Sequence, residues 1–389
     1  MTTADRYARQ RLIQWWDQDR LRAARVFVAG CGALGNEVLK NLALLGIGRL
    51  LLVDFDRVEP SNLSRTVLFN EADIGRPKAL AAAEALARLN PEVRAQPIDG
   101  DLYHDVGLGY YRHSNLVIGC LDSLAARSQV GLCCLLAGVP YLDGGMWSLG
   151  GEVRWFLGGE GPCFECTLTE GDRERSRERR SCSGFRAPPD EGPGPGAETT
   201  PVPTVATTAS VIGGLLAQEA AKWLCGHPVL AGRAFVYNGQ AMTLHRAELV
   251  RDPQCPNDHI PYAGVIEIPR KAGDMTAREL CALACGEVAG PRGPGDDEPI
   301  VELGRDVLLA WACGACGRRE EGRPLGRVLE AERHCPSCGA SREPEVIHSL
   351  GAASPYADVP LERLAVPPGE VLAVRCRGEL RFCELTADV

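Results

Sequence analysis

RVFVAGCGALGNEVLKNLALLGIGRLLLVDFD, residues 25–56, decides the fold. Val26-Phe27-Val28-Ala29 is an apolar run of strand length, and it stops at Gly30-Cys31-Gly32-Ala33-Leu34-Gly35. Asn36 to Leu45 then carries apolar residues at helical spacing, and Leu50-Leu51-Leu52-Val53 is a second buried-strand run ended by Asp54. Strand, glycine turn, helix, strand and acid make a unit that lays a nucleotide's phosphates on a helix N-terminus, where unpaired N–H groups and the helix dipole favour anions. In that unit Gly30 permits the tight turn, Gly32 lets the backbone approach a phosphate, and Gly35 lets helix and strand pack closely. Asp54 stands where it can accept hydrogen bonds from ribose hydroxyls. A dinucleotide dehydrogenase carries the same fingerprint, so the residues beyond Asp54 must choose between nucleotides.

Working outward, strand and helix patterns keep alternating. Arg76 to Leu89 reads as a helix stopped by Asn90-Pro91, and Val93 to Ile98 and Asn115 to Gly119 read as strands. Ser123 to Ala137 reads as a helix, and Pro140-Tyr141-Leu142 leads into another strand. This alternation predicts an α/β, Rossmann-like domain with a mostly parallel sheet and helices on both faces. The pattern breaks from Thr167 to about residue 205, where charged and then Pro/Gly/Thr-rich sequence predicts a crossover loop. A helix at Ser210–Leu224 and one or two strands in Ala234–His245 complete a domain over residues 1–260. Residues 261–389 then form a C-terminal α+β extension: a strand at VIEIP, a helix at Thr276–Ala284, a cysteine-rich insert at about 311–340 and a β-rich tail.

The chain has 389 residues, 45% hydrophobic and 24% charged, which suits a soluble protein with more than one core. A net charge of −9 argues against nucleic acid as a partner by bulk electrostatics. MTTADRYARQ has no signal pattern and no apolar run is long enough to span a bilayer, so no membrane role and a cytoplasmic location are expected. Seventeen cysteines in such a chain read as metal sites, buried thiols and a nucleophile rather than disulfides.

Past Asp54 come Asp56, Asn62, Arg65, Lys78 opening a helix, and Asp122 just after a strand. An NAD-dependent oxidoreductase leaves these without work and would need a catalytic His or Tyr in the cleft, and the few histidines form no evident catalytic group. A nucleotidyl transfer uses them all. Attack on the α-phosphate of ATP with loss of pyrophosphate needs positive charge around the phosphates, which Arg65 and Lys78 supply. Asn62 can donate to a phosphate oxygen, and Asp122 can hold Mg²⁺. In the extension, Cys313-Gly-Ala-Cys316 and Cys335-Pro-Ser-Cys338, with 18 residues between the pairs, have the spacing of a zinc ribbon, read as structural ahead of protein-binding. Cys182 lies in the crossover loop behind Arg179 and Arg180, and cationic neighbours raise a thiol's thiolate fraction.

The set Arg6-Tyr7-Ala8-Arg9-Gln10, the glycine turn, Asp54-Phe55-Asp56, Ser61-Asn62-Leu63-Ser64-Arg65, Gly75-Arg76-Pro77-Lys78, Leu121-Asp122-Ser123 and Cys163-Phe164-Glu165-Cys166 resembles the ThiF/MoeB/HesA family of the ubiquitin-activating (E1-type) superfamily. The likeness covers roughly residues 5–260. It implies ATP-dependent adenylation of the C-terminal glycine of a ubiquitin-like protein, by a homodimer or heterodimer in which Arg9 reaches the neighbour's ATP site. It implies a second zinc site in which Cys163 and Cys166 pair with Cys255 and either His259 or Asp258. The family more often has Cys-x-x-Cys at the latter position, and imidazole puts His259 ahead. It also implies that Cys182 takes the acyl group as a thioester and passes it to a conjugating enzyme. The alternative within the superfamily is adenylation of a sulfur-carrier protein for cofactor synthesis. A zinc-ribbon adaptor with a dead nucleotide fold is disfavoured by the presence of Arg65, Lys78 and Asp122.

Overall fold

The computed structural model describes residues 5–159, 161–178, 203–286, 298–321 and 330–388. Cys182 lies outside the described residues. In chain order the elements are α1 (Gln18–Ala23), β1 (Arg25–Ala29), α2 (Ala33–Leu45), β2 (Arg49–Asp54), α3 (Lys78–Leu89), β3 (Arg94–Asp99), α4 (Leu108–Arg112), β4 (Leu116–Gly119) and α5 (Leu124–Ala137). They continue with β5 (Tyr141–Trp147), β6 (Gly150–Phe156), α6 (Glu170–Glu178), α7 (Ala206–Leu224), β7 (Arg233–Asn238) and β8 (Thr243–Glu248). After these come β9 (Ile266–Ile268), α8 (Ala277–Cys285), β10 (Ile300–Ala312), β11 (Arg319–Glu321), β12 (Glu343–Gly351), β13 (Val371–Cys376) and β14 (Glu379–Leu385). The chain divides into two compact units, one of Met1–Tyr103, Tyr110–Ser176 and Pro201–Pro261, the other built on Tyr262–Val389 with the short segment His104–Gly109.

The first unit carries an eight-stranded sheet in the order β3-β2-β1-β4-β5-β6-β7-β8. Strands β3, β2, β1, β4 and β5 are parallel, and β5 to β8 pair antiparallel. The inner parallel strands β1, β2 and β4 are covered on both faces, so they read as continuous apolar runs; Val26, Phe27, Val28, Ala29 and all of Leu116–Gly119 are buried, whereas the edge strand β3, RAQPID, is not. Helix α2 buries Leu34, Val38, Leu39, Leu42 and Ala43, an i, i+4, i+8 stripe, and stops at Gly46, which takes φ +79° and lets its N–H return to the last turn.

One strand is unanticipated and one expectation is corrected. The antiparallel half includes β6, GGEVRWF, whose paired glycines do not read as a strand. The interval from Thr167, expected as loop, begins with helix α6; it has no apolar stripe, and Arg173 ties it down by donating to Glu165 O at 3.1 Å and pairing with Asp252.

The second unit has a six-stranded sheet in the order β11-β10-β13-β14-β9, with β12 on β10. Its core includes Leu280, Val301, Leu303, Leu361, Val374 and Leu385. Thr276 and Glu279 form a capping box that starts α8. Against the expectation of free thiols, Cys285 at the end of α8 and Cys376 at the end of β13 are joined as a disulfide, with Cα atoms 5.7 Å apart. Packing of α8 on the sheet brings them within bonding reach, which spacing in sequence could not reveal. Among the described residues no helix is long and apolar enough to cross a membrane.

Candidate functional site

Strands β2, β1 and β4 are neighbours, so their carboxyl ends present Asp54, the glycine turn and the Cys120–Asp122 bend along one sheet edge. Open parallel sheets take ligands at this edge. The glycines are not equivalent. Gly30 has φ +93°, and a Cβ there would stand 2.6 Å from Cys120 O; one at Gly35 would stand 2.0 Å from Gly30 O. These two are required by the fold itself. A Cβ at Gly32 would meet nothing within 4 Å. Gly32 is the N-cap of α2 and offers no side chain to its first N–H groups, so the helix end stays open for an anion.

Asp54 holds this turn. Its Oδ2 accepts from Cys31 N at 2.6 Å and its Oδ1 from Asp56 N at 2.8 Å, and burial pushes the carboxyl above its ordinary range. Arg57 and Pro77 form an antiparallel bridge, and Val58 N donates to Arg76 O. That pairing sets Lys78, buried at the start of α3, beside Asp56, with Nζ 2.7 Å from Oδ2. Asn62 is buried, and its side-chain oxygen accepts from Glu59 N at 2.9 Å. Arg65 is half-buried, with Nη1 donating to Ser61 O at 2.7 Å. Asp122 is exposed just before α5, which Ser123 caps by accepting from Ala126 N at 3.1 Å. Arg9 is exposed, on the turn leading into a short 3₁₀ helix.

Sequence reading passed over Asn36. Fully buried on α2, it donates to Cys31 O at 2.7 Å and Gly32 O at 3.2 Å, while its oxygen accepts from Leu68 N at 2.9 Å. It therefore straps the segment after Arg65 onto the glycine turn. The available signal was an asparagine one residue past the last glycine, inside the buried stripe of a helix.

Four side chains, Cys163, Cys166, Cys255 and His259, converge with ligand atoms all within 4.8 Å of one another. The Sγ atoms of Cys163 lie 3.8 Å from Cys166 and 3.6 Å from Cys255, and His259 Nε2 lies 3.4 Å from Cys166 Sγ. A tetrahedron with bonds of about 2.3 Å has edges of about 3.8 Å, so the set fits zinc. His259, not the exposed Asp258, stands at the fourth corner. Its Nδ1 donates to Gly161 O at 3.1 Å, which leaves Nε2 for a metal. Its backbone takes φ +61°, uncommon for a residue with a side chain. Burial pushes the Cys163 and Cys255 thiols up, the latter to about 12, so a cation is what would hold them as thiolates. Cys313, Cys316, Cys335 and Cys338 form the second set, with Cys313–Cys338 and Cys316–Cys335 both 3.6 Å apart. There the Ser337 and Cys338 N–H groups lower the Cys335 thiol to about 6, as a thiolate ligand needs.

The family model described as ThiF family matches residues 5–257. The chain is 34% identical over 261 residues to the sulfur carrier protein adenylyltransferase of Thermus thermophilus, covering 65% of this chain and 89% of that one. It is 33% identical over 258 residues to the molybdopterin-synthase adenylyltransferase of Salmonella typhimurium, covering 64% and 94%. Among solved structures, E. coli MccB with ATP has a TM-score of 0.51 at 23% identity over 66% of this chain and 74% of that one, a likeness of fold.

Proposed function

The chain belongs to the ThiF family, and from that membership we propose that it adenylates the C-terminal glycine carboxylate of a small ubiquitin-fold carrier protein. The sulfur-carrier branch is favoured over modifier conjugation, because both relatives named above are adenylyltransferases, of a sulfur carrier protein and of molybdopterin synthase. The thioester reading, with its conjugating enzyme, needs Cys182 as its nucleophile. The observation that carries the proposal is an open helix N-terminus beside Asp54 at one sheet edge, with Lys78 held by Asp56 and the segment after Arg65 strapped to the glycine turn by Asn36.

In this reading a carboxylate oxygen of the carrier attacks the α-phosphorus of ATP. The bond to the bridging oxygen breaks and pyrophosphate leaves, so the carrier ends as an acyl-adenylate. Gly32 leaves the turn's N–H groups open to phosphate oxygens, and Asp54 faces the ribose. Asn62 donates to a phosphate oxygen through its amide nitrogen, since its oxygen is already engaged. Lys78 and Arg65 stabilise the charge that grows on the departing pyrophosphate, and Asp56 keeps Lys78 oriented before substrate arrives. Asp122 would hold Mg²⁺, which when bound neutralises phosphate charge. Arg9 is assigned to the neighbouring subunit's site in a dimer. Residues 1–260 are the adenylation domain and 261–389 an extension with a structural zinc ribbon.

The fate of the adenylate tests the branch. With ATP, Mg²⁺ and sulfide, sulfide attacks the acyl carbon, the C–O bond to AMP breaks, and the carrier gains the mass of sulfur replacing oxygen. Cys182→Ala should leave adenylation intact. A hydroxylamine-sensitive thioester that disappears in Cys182→Ala, with no thiocarboxylate formed, would replace the sulfur-carrier reading by the modifier one.

A further inference from the structure

We infer that Arg127 is the positioning residue for Asp122, clamping the segment that carries it between strand β5 and the Cys163–Cys166 knuckle; the catalytic part of this inference rests on the adenylation reading. The segment runs from Gly119, the last residue of β4, to Arg127 in α5, with Asp122 at the exposed bend between them. One residue holds both ends. Gly119 pairs in register with Asp143 on β5. The side chain of that same Asp143 accepts from Arg127 Nε at 3.0 Å, and a second guanidinium nitrogen reaches its other oxygen. Asp143 is fully buried and also accepts from the Tyr141 hydroxyl at 2.8 Å.

From Arg127 the network runs on to the knuckle. Its Nη2 lies 3.2 Å from Glu152 Oε1, Glu152 pairs with Arg154 at 2.6 Å, and Arg154 donates to Thr167 Oγ1 at 3.2 Å, beside Cys166. Both guanidinium groups lie over the ring of Phe164, at 5.4 Å for Arg127 and 5.9 Å for Arg154. The next residue of α5, Ser128, donates to Glu165. A Cβ at Gly145 would stand 3.0 Å from Arg127 Nη2, so β5 leaves room for the fork and little else.

Withdrawing two charges from water is costly, and such a pair seldom stabilises more than apolar packing of the same volume. What a two-pronged guanidinium–carboxylate contact does supply is direction. Here it fixes the first turns of α5 and, with them, the carboxylate that precedes the helix. Lysine at 127 keeps the charge and loses the fork.

Hydrogen exchange by mass spectrometry on the full chain reads the clamp without reference to activity. In Arg127→Lys and Asp143→Asn, exchange within residues 119–126 should rise about tenfold while residues 28–36 stay protected. The Mg²⁺ needed for half-maximal carrier-dependent pyrophosphate exchange should rise by about 10–100-fold, as when an outer-shell support is lost, with the KM for ATP little changed. Glu152→Gln weakens the outer contacts to Arg127 and Arg154 and leaves the Arg127–Asp143 fork in place, so it should move both readouts less, in the same direction; it serves if the buried variants do not fold. Unchanged protection of 119–126 in folded variants overturns the inference, and so does a loosened segment with an unaltered Mg²⁺ requirement. If the wild-type chain gives no pyrophosphate exchange with any carrier, the adenylation reading fails, and protection alone then decides whether Arg127 holds the segment.

Discussion

A methyl group added at Gly35 would stand 2.0 Å from the Gly30 carbonyl oxygen, whereas one added at Gly32 would meet nothing within 4 Å. Gly35→Ala should therefore destabilise the first unit by about 1–3 kcal/mol, the usual cost of overpacking, measured by denaturant unfolding. Gly32→Ala should leave stability within about 1 kcal/mol of wild type, since its φ of −69° suits alanine, yet weaken nucleotide binding by crowding the phosphate. Equal stability losses in the two variants would deny that Gly32 is kept open for a ligand. At this scale the glycines, Asp54, Lys78 and Asp122 stand out as candidates in the sequence because each lies at the end of a strand or the start of a helix. Arg65, in the loop between β2 and α3, stands out only together with them. Asn36, Arg127 and Asp143 do not. Their meaning lies in partners 16 to 32 residues away, and a buried ion pair leaves no periodic mark on either strand or helix.

Among the elements, the two cysteine knuckles make the clearest demand. The wild-type chain should bind about two equivalents of zinc, and either Cys163→Ser or Cys335→Ser should lower this to about one, read by metal analysis after dialysis. His259→Ala should act like Cys163→Ser while Asp258→Ala retains both; the reverse result would put the carboxylate at the fourth corner. The ribbon spacing was readable without any structure, as were β1, β2 and β4, whose unbroken apolar runs reflect burial on both faces. Helix α6, EGDRERSRE, was read as loop because nothing in it is apolar; a tertiary tie through Arg173, rather than an amphipathic face, accompanies it. Strand β6 was missed because its leading Gly150-Gly151 reads as turn, although Gly151 packs tightly against Ile212, where a Cβ would stand 2.6 Å away.

For the whole molecule, membership of the ThiF family and the α/β fold follow from features spread over residues 5–257. The branch of chemistry does not, because it turns on what attacks the acyl-adenylate, and Cys182, the candidate nucleophile, lies outside the described residues. The central claim is that this sheet edge grips ATP for attack by a carrier's terminal glycine, and carrier-dependent ATP–pyrophosphate exchange measures it most directly. Each of Lys78→Ala, Arg65→Ala and Asp122→Ala should lower the exchange rate about 10²–10³-fold, and a carrier lacking its last glycine should support none. Exchange at the wild-type rate in Lys78→Ala and Asp122→Ala, or exchange indifferent to the carrier's terminus, would contradict the account.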